Sequence, residues 1–345
     1  MKLTYRQAGV NEKRAANLVK YIAKTARETF NKSVITDIGF FGGLYKFSPD
    51  GLKQPILVAS CDGVGTKILI AREMEKFETV GIDLVAMNVN DVAVCGAKPL
   101  FFLDYLAVGK LDFPREEKLI DGIIKGCKLA DCALIGGELA QMNVVYKEKD
   151  YDLAGFCVGI VDKEKILRPE NVKKGDVLIG LASNGIHSNG FSLIHKIFLS
   201  TKRKKSHLFD YNEFLGKSLG EELLRPTYIY SSLITKLNKK ELIHAAAHIT
   251  GGGIPGNFER VLPENLQANI KLNSWHVSRI FKLIQNTGKI SDSEMFNVFN
   301  MGLGLILVAE EKNKDAIIET VKKNGFQRYV IGNITSGKRC IKFIT

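Results

Sequence analysis

Apolar, strand-like runs recur in both halves of this chain, and several follow one another with no helix between them. In a doubly wound parallel sheet each strand is followed by a crossover helix, so consecutive strands argue against that architecture. Helical stretches with an apolar repeat near 3.6 residues are interspersed among the strands. The order of elements therefore predicts an α+β fold. The predicted strands include 44–47, 55–60, 99–109, 132–138, 153–161, 177–183, 242–249 and 303–310, and the predicted helices include 15–30, 79–97, 115–130, 191–199, 226–237, 277–288 and 314–325.

The chain has 345 residues, which is more than one hydrophobic core usually supports, so we expect two domains. The segment DKEKILRPENVKKGD (162–176) is charged, contains a proline and has no apolar period. We place the domain boundary in it, which gives an N-terminal domain of residues 1–170 and a C-terminal domain of residues 171–345. Both domains mix strands with helices, and we expect helices to cover the sheet of the second.

Composition excludes several classes of protein. No apolar run approaches the roughly 20 residues of a membrane span, and the N-terminus lacks a secretory signal, so we expect a cytoplasmic protein with no membrane partner. The six cysteines have no zinc-like spacing and are interpreted as small buried hydrophobes. The net charge of +12 lies in short runs outside any nucleic-acid module, so we expect no nucleic-acid partner.

The stretch SCDGVGTK (60–67) leaves a predicted buried strand. Asp62 lies where the strand ends, and Gly63 and Gly65 allow backbone N–H groups to turn toward an anion. Lys67 adds a positive charge. The spacing matches neither GxxxxGK[ST] nor GxGxxG, so the stretch alone is compatible with a phosphate cradle or with an ordinary turn.

The predicted helix 79–97 carries polar residues on one face. Asp83, Asn90 and Asp91 lie near each other at 3.6 residues per turn, and Asn88 is one turn from Asp91. Burial of such groups costs several kcal/mol unless they meet cations or hydrogen-bond partners. Two interpretations stay open: a solvent-facing polar stripe, or carboxylates that face Asp62 and form a magnesium site with it.

Three more loops combine glycine with polar residues after a strand. Glu138 follows two glycines in LIGGELAQM, and His187, Ser188 and Asn189 lie just before a helix, where Ser188 or Asn189 can cap it. Three consecutive glycines in HITGGGIPGN (248–257) allow close backbone approach to a ligand. Several acids beside several anion cradles favour a magnesium nucleotide plus a second phosphorylated molecule.

Taken together, these segments resemble the phosphoribosylformylglycinamidine cyclo-ligase family, also called aminoimidazole ribonucleotide synthetases. The resemblance runs in family order from residue 5 to about residue 304. The segments that carry it are YRQAGV, DGVGTK, GIDLVAMNVNDVAVCGAKPLFFLDYLAVGKL, GGELAQM, YDLAGFCVG, GIHSNGFSL, RPTYIY, HITGGGIPGNFERVLP and FNMGLG.

The resemblance implies an ATP-dependent ring closure in purine biosynthesis, in which formylglycinamidine ribonucleotide and ATP give aminoimidazole ribonucleotide, ADP and phosphate. The γ-phosphoryl group is placed on the formamide oxygen, the amidine-side nitrogen attacks, and phosphate leaves. It also implies a homodimer built through the N-terminal domains and a fold shared with other synthetases that bind Mg-ATP.

The resemblance also suggests roles for individual residues. The implied magnesium ligands are Asp62, Asp91 and Glu138. The implied ATP and phosphate contacts are Gly39, Gly42, Gly43, Asp62, Gly63, Gly65, Thr66 and Lys67. The implied substrate contacts are Glu138, His187, Ser188, Asn189, Gly251 and Gly252. Asp62, Lys67, Asp91 and His187 are the implied catalytic residues.

The chain departs from the family pattern after GGE, where Leu139-Ala140-Gln141-Met142-Asn143 replaces the usual Thr-Ala-Glu-Met-Pro. The departure removes an acid at Gln141 and a proline at Asn143. The alternatives to a cyclo-ligase are another ATP-dependent synthetase or kinase with the same fold, and a non-catalytic homologue that retains the dimer.

Overall fold

The computed structural model describes residues 12–49, 51–199 and 206–345. The family segment YRQAGV (5–10) lies outside these ranges. The helices are α1 Glu12–Ala26, α2 Lys67–Met74, α3 Glu78–Val94, α4 Phe113–Ala130, α5 Phe191–Ile194, α6 Ser206–Phe209, α7 Leu219–Leu223, α8 Ser231–Lys239, α9 Gly253–Phe258, α10 Arg279–Gly288, α11 Asp292–Val298 and α12 Lys314–Lys323. The strands are β1 Pro55–Gly63, β2 Lys98–Val108, β3 Ala133–Gln141, β4 Tyr151–Asp162, β5 Val177–Ala182, β6 Tyr211–Asn212, β7 Lys217–Ser218, β8 Ala245–His248, β9 Leu266–Lys271, β10 Leu303–Ala309, β11 Arg328–Ser336 and β12 Cys340–Ile344.

The first sheet has four strands in the order β1-β4-β2-β3, and only the β2–β3 pair is parallel. Its inner face packs on α3 and α4. These two helices lie very close together at Gly81. A Cβ atom at this position would be only 2.3 Å from the Leu119 carbonyl oxygen, so the contact requires glycine. One row of the sheet runs from Asp62 on β1 through Gly155 and Asp104 to Gly137 on β3. This row fixes how far apart the predicted site residues of β1 and β3 lie.

The outer face of the same sheet carries large apolar side chains that are partly exposed. Leu57 is 61% exposed, and Tyr105 and Phe156 are each 38% exposed. Glu138 shares this face, since it lies opposite Tyr105 across the β2–β3 pair. Within the described ranges, this face carries no helical layer.

The second sheet has six strands in the order β12-β9-β11-β5-β10-β8. Neighbouring residues of β10 point to opposite faces, and both faces are covered. Leu305 and Leu307 pack in an apolar cluster with residues of α8 and α12, while Ile306 and Val308 pack in a second cluster with residues of α9 and β9. Covered faces explain why β5 and β10 are continuous apolar runs in the sequence.

The predicted α+β class, with helices covering the second sheet, is confirmed. Most predicted elements are present, with three differences in detail. The helix expected from Pro226 begins only at Ser231, the strand expected at 44–47 is reduced to a single bridge between Val34 and Tyr45, and β9 lies where no strand was predicted. The domain boundary near residue 170 stays a prediction.

Among the described residues, no helix combines the length and the apolar character needed to cross a membrane. The cytoplasmic location expected from the sequence stays a prediction.

Candidate active site

Asp62, Asp91 and His248 come together where α3 contacts both β1 and β8. Asp62 lies near the end of β1, and its Oδ1 accepts a hydrogen bond from the Gly63 N–H at 2.8 Å. Asp91 lies on α3 with its side chain 43% exposed, and its Oδ1 is 2.8 Å from Nδ1 of His248 at the end of β8. The Asn88 amide donates to the Asp62 carbonyl oxygen at 3.2 Å, which ties α3 to β1.

The electrostatics of this group favour a cation. Partial burial raises the pKa of the Asp62 carboxyl, the hydrogen bond from Gly63 opposes that rise, and the negative charge of Asp91 adds to it. Two carboxylates in each other's field, with part of their surface exposed, are suited to an oxygen-coordinated divalent ion that keeps several waters. The structure therefore brings the predicted pair Asp62 and Asp91 into one region.

The turn after Asp62 is shaped by its glycines. Gly65 has φ +66, a conformation that L side chains rarely adopt, and a Cβ on Gly63 would lie 3.0 Å from the Leu153 carbonyl oxygen. The Thr66 carbonyl accepts a hydrogen bond from His195 Nε2 at 2.9 Å. The turn thus joins the first sheet to the segment that follows α5.

Of the two remaining predicted polar residues of α3, Asp83 lies outside this group, whereas Asn90 contacts it, with its Nδ2 3.3 Å from His248 Nε2. Asp83 and Asn90 are fully buried, so the solvent-facing stripe considered for this helix is wrong. Asn90 accepts a hydrogen bond from the Tyr230 N–H at 2.7 Å and donates to the Tyr228 carbonyl at 2.8 Å. These bonds tie the chain at Tyr228 and Tyr230 to α3, and α8 begins directly after them.

The position of Lys67 differs from the prediction. Its side chain is fully buried, with Nζ 2.6 Å from Asp83 Oδ2, and it donates to the carbonyl oxygens of His187 at 3.0 Å and Arg225 at 2.8 Å. A buried ammonium with three protein partners does not reach a phosphate in this arrangement. The predicted phosphate contact of Lys67 is therefore replaced by an interior ion pair.

His187, Ser188 and Asn189 form a buried loop rather than a helix cap. The Ser188 hydroxyl bonds to the Thr227 hydroxyl at 2.9 Å, and the residue that precedes α5 is Gly190, which has no side chain to cap with. The predicted cap at Ser188 or Asn189 is therefore wrong. Asn189 lies against the glycine turn, since a Cβ on Gly251 would be 3.4 Å from Asn189 Oδ1.

The His187 ring is neutral. Burial lowers its pKa well below the ordinary value, and the charges of His248, Lys67 and Arg225 lower it further. Its Nε2 accepts a hydrogen bond from the Asn184 N–H at 2.9 Å, so the proton is on Nδ1. This ring is suited to hydrogen bonding and not to carrying a positive charge.

The side chain of Asn257 stabilises the glycine turn after β8. The Asn257 amide donates to the carbonyl oxygens of Thr250 at 3.2 Å, Gly251 at 3.0 Å and Gly253 at 2.8 Å. Gly251 and Gly252 are exposed, so their backbone groups are open to a ligand. The predicted substrate segments 187–189 and 251–252 are thus brought together.

The remaining predicted residues lie in a second region. The loop that contains Gly39, Gly42 and Gly43 lines a cavity of about 570 Å³ together with Glu138 and Asp104. A Cβ on Gly43 would lie 2.6 Å from the Ile135 carbonyl oxygen, which requires glycine at this contact with β3.

Glu138 does not join Asp62 and Asp91 within one chain. It lies three strands from Asp62, about 14 Å at the usual strand spacing, and on the other face of the sheet. Among the residues described, no three His, Cys, Asp or Glu side chains are arranged to hold a metal ion. The predicted ligand set of Asp62, Asp91 and Glu138 is therefore wrong for a single chain.

Sequence reasoning missed two ionisable residues of these regions. His248 immediately precedes the glycine turn in HITGGG, and that position at a strand end was a usable signal. Asp104 stands inside the apolar strand PLFFLDYLAVG, and burial raises its pKa to about 7. A lone acid in a buried strand was the signal there.

Two domain families match the chain. The N-terminal domain of AIR synthase related proteins matches residues 50–161, and the C-terminal domain of the same class matches residues 173–344. The fold and the matches define an AIR synthase related protein. Thiamine-monophosphate kinase from Stenotrophomonas maltophilia shares the fold, with 20% identity, a TM-score of 0.67 and coverage of 94% of this chain and 95% of that one. So does the hydrogenase maturation protein HypE solved in complex with ATP, with 14% identity, a TM-score of 0.63 and coverage of 93% and 86%.

Curated relatives narrow the class further. Phosphoribosylformylglycinamidine cyclo-ligase from Thermodesulfovibrio yellowstonii is 49% identical over 337 residues, which is 98% of each chain. The chain belongs to the phosphoribosylformylglycinamidine cyclo-ligase family.

Proposed function

We propose that this protein catalyses the ATP-dependent closure of formylglycinamidine ribonucleotide to 5-aminoimidazole ribonucleotide, a step of purine biosynthesis. The observation that carries the proposal is the 49% identity over 98% of both chains with the cyclo-ligase of T. yellowstonii. The matched 98% of the chain includes both of its domains.

The reaction requires activation of an amide oxygen, which is a poor leaving group. Transfer of the γ-phosphoryl group of ATP to the formamide oxygen releases ADP and converts that oxygen into a phosphate ester, which is a good leaving group. The amidine-side nitrogen then attacks the same carbon, the C–O bond breaks, and the ring closes with release of inorganic phosphate. A protein accelerates such a sequence mainly by positioning its substrates and neutralising charge.

Asp62 and Asp91 are the proposed magnesium ligands. Both are partly exposed carboxylates, and their mutual repulsion contributes to the raised pKa of Asp62, so a cation between them is favourable. A bound Mg²⁺ would neutralise negative charge on the transferred phosphoryl group. His248 holds the Asp91 carboxylate through Nδ1, which fixes the direction of one ligand.

The loop 39–43 and the cavity beside it are the proposed nucleotide region. The cavity is of the size that small-molecule sites have, and its walls include Val19, Ile22 and Ile135. HypE, which shares the fold, is solved with ATP bound. Exposed Phe40 and Phe41 stand at the tip of the loop, where they can pack on a base.

The segments 187–189 and 251–252 are the proposed ribotide region. The open backbone of Gly251 and Gly252 is available to a phosphate, and Asn189 lies beside it. His187 is neutral, so its proposed role is to orient a polar group by hydrogen bonding.

A homodimer through the outer face of the first sheet completes the proposal. A second copy would cover Leu57, Tyr105 and Phe156, which otherwise form an exposed apolar face. Glu138 lies on this face, so in the dimer it would face the partner instead of Asp62 of its own chain.

The test is to incubate the purified protein with ATP, magnesium and formylglycinamidine ribonucleotide. We expect aminoimidazole ribonucleotide and ADP in equal amounts, and no ADP when the ribotide is replaced by thiamine monophosphate. A folded protein that gives no aminoimidazole product would refute the proposed function.

A further inference from the structure

The buried Lys67 ammonium contacts three separate segments of the chain. Its Nζ forms an ion pair with Asp83 on α3 at 2.6 Å, and it donates to the carbonyl oxygens of His187 at 3.0 Å and Arg225 at 2.8 Å. The ammonium group is fully used by these contacts. The Lys67 side chain therefore joins α2 and α3 to the loop at 183–190.

A second path returns from Asp83 to the same loop. Asp83 Oδ1 accepts hydrogen bonds from the Thr227 N–H and hydroxyl, both at 2.7 Å. Because the Thr227 hydroxyl donates to Asp83, the Ser188 hydroxyl donates to Thr227 at 2.9 Å. Lys67, Asp83, Thr227, Ser188 and the His187 carbonyl thus form a closed polar ring, called here the Lys67 ring.

The loop needs such support because its backbone is strained. His187 has φ +59, in the left-handed region that non-glycine residues seldom adopt. A residue in this conformation costs on the order of 1 kcal/mol or more and persists only when its surroundings hold it. The Lys67 ring bonds to the carbonyl of His187 and to the side chain of Ser188, so it holds the chain directly after the strained φ angle.

We propose that Lys67, paired with Asp83, is a positioning residue that fixes the backbone of His187, Ser188 and Asn189 for the ribotide. It acts through the loop and touches neither ATP nor the reacting atoms. The inference rests on the proposed function, because that function gives segment 187–189 its role.

The experiment compares Lys67→Met with Lys76→Met. Lys76 follows the same helix, is exposed and forms a long surface ion pair with Glu221 at 3.6 Å. Hydrogen exchange of the amides at 184–190 is measured by mass spectrometry, and KM is measured for each substrate. For Lys67→Met we expect exchange at least about 10-fold faster, a KM for the ribotide raised at least about 10-fold, and a KM for ATP changed less than about 3-fold. Lys76→Met should match the unmodified protein in all three.

Lys67→Met leaves the Asp83 carboxylate buried without its cation, and that variant can fail to fold. The double variant Lys67→Met with Asp83→Asn removes both charges, and the asparagine oxygen still accepts from Thr227. It should show the same faster exchange and the same raised KM for the ribotide.

Two outcomes would overturn the inference. If the double variant keeps the exchange rate and the ribotide KM of the unmodified protein, Lys67 does not position the loop. If the KM for ATP rises while exchange at 184–190 is unchanged, Lys67 reaches the nucleotide directly. The exchange measurement needs no substrate, so it tests the inference even if the proposed reaction is absent.

Discussion

The two sheets of this protein differ in how many of their faces are covered. Both faces of the six-stranded sheet are buried under apolar clusters, whereas the four-stranded sheet has one face on α3 and α4 and one face that exposes Leu57, Tyr105 and Phe156. A sheet with an uncovered apolar face is only half of a layered structure. The homodimer proposed above would account for this difference, because a second copy would cover the apolar face that the first sheet leaves exposed.

The difference between the two sheets predicts different effects of aspartate substitutions. Neighbouring residues of a strand point to opposite faces, so two adjacent substitutions test both faces of each sheet. In β10, Ile306→Asp and Leu307→Asp each bury a carboxylate, one on each face, and we expect both to lose more than about 4 kcal/mol of stability. In β4, Cys157→Asp should be as severe, since Cys157 is fully buried.

Phe156→Asp, the neighbour on the outer face of β4, should leave the chain folded. It should shift the protein from dimer to monomer, measured by sedimentation, with unfolding in urea as the measure of stability. If Phe156→Asp unfolds the chain, or if it leaves a stable dimer intact, the outer face is not the dimer surface.

The second prediction concerns the edge of the four-stranded sheet. Asp62→Asn removes one proposed magnesium ligand while keeping the size of the side chain. We expect kcat/KM for cyclisation to fall about 1,000-fold, which is about 4 kcal/mol of transition-state stabilisation. The magnesium concentration needed for half-maximal activity should rise.

Asp152→Asn is the matched control for this variant. Asp152 is exposed on the neighbouring strand β4, and its Oδ1 accepts from the next N–H at 2.8 Å, just as Asp62 does from Gly63. Its activity should stay within about 2-fold of the unmodified protein. Undiminished cyclisation by Asp62→Asn at saturating magnesium would refute the metal assignment.

The sequence was sufficient to predict the fold class and to mark the segments that are proposed here for the site, because apolar periodicity and glycine loops are local signals. It predicted that Asp83, Asn90 and Asp91 share a face of α3. It did not show that Asp83 and Asn90 bond to the backbone of Thr227 and Tyr230, which are more than 130 residues away. The helix that Pro226 was expected to begin starts only after these bonded residues, at Ser231.

The same limit applies to the ligand set. Asp62 and Glu138 each follow a strand and each have glycines nearby, so the sequence groups them together. The strand order β1-β4-β2-β3 places them on opposite edges and opposite faces of the sheet. Strand order is set by pairing between strands that are far apart in the sequence. The residue pattern of a single sequence does not show which strands pair.

The third prediction concerns the buried face of the four-stranded sheet, under which Asp104 lies. Its pKa is raised from 3.8 to about 7 by burial, so between these values the folded protein binds a proton that the unfolded chain has released. The stability contributed by this group is therefore present at low pH and lost as pH rises through about 7. The Asp104→Asn variant lacks this loss, so its stability relative to the unmodified protein should increase by roughly 2 to 3 kcal/mol between pH 5 and pH 8.

Urea unfolding at the two pH values measures this difference. Asp315→Asn, on the exposed side of α12, is the control and should run parallel to the unmodified protein at both pH values. Ionisable groups elsewhere contribute equally to all three proteins, so the relative change isolates Asp104. If the stability of Asp104→Asn also changes with pH in parallel with that of the unmodified protein, the Asp104 carboxylate is solvated in the native protein. The inner face of the first sheet would then be more accessible to water than either face of the second sheet.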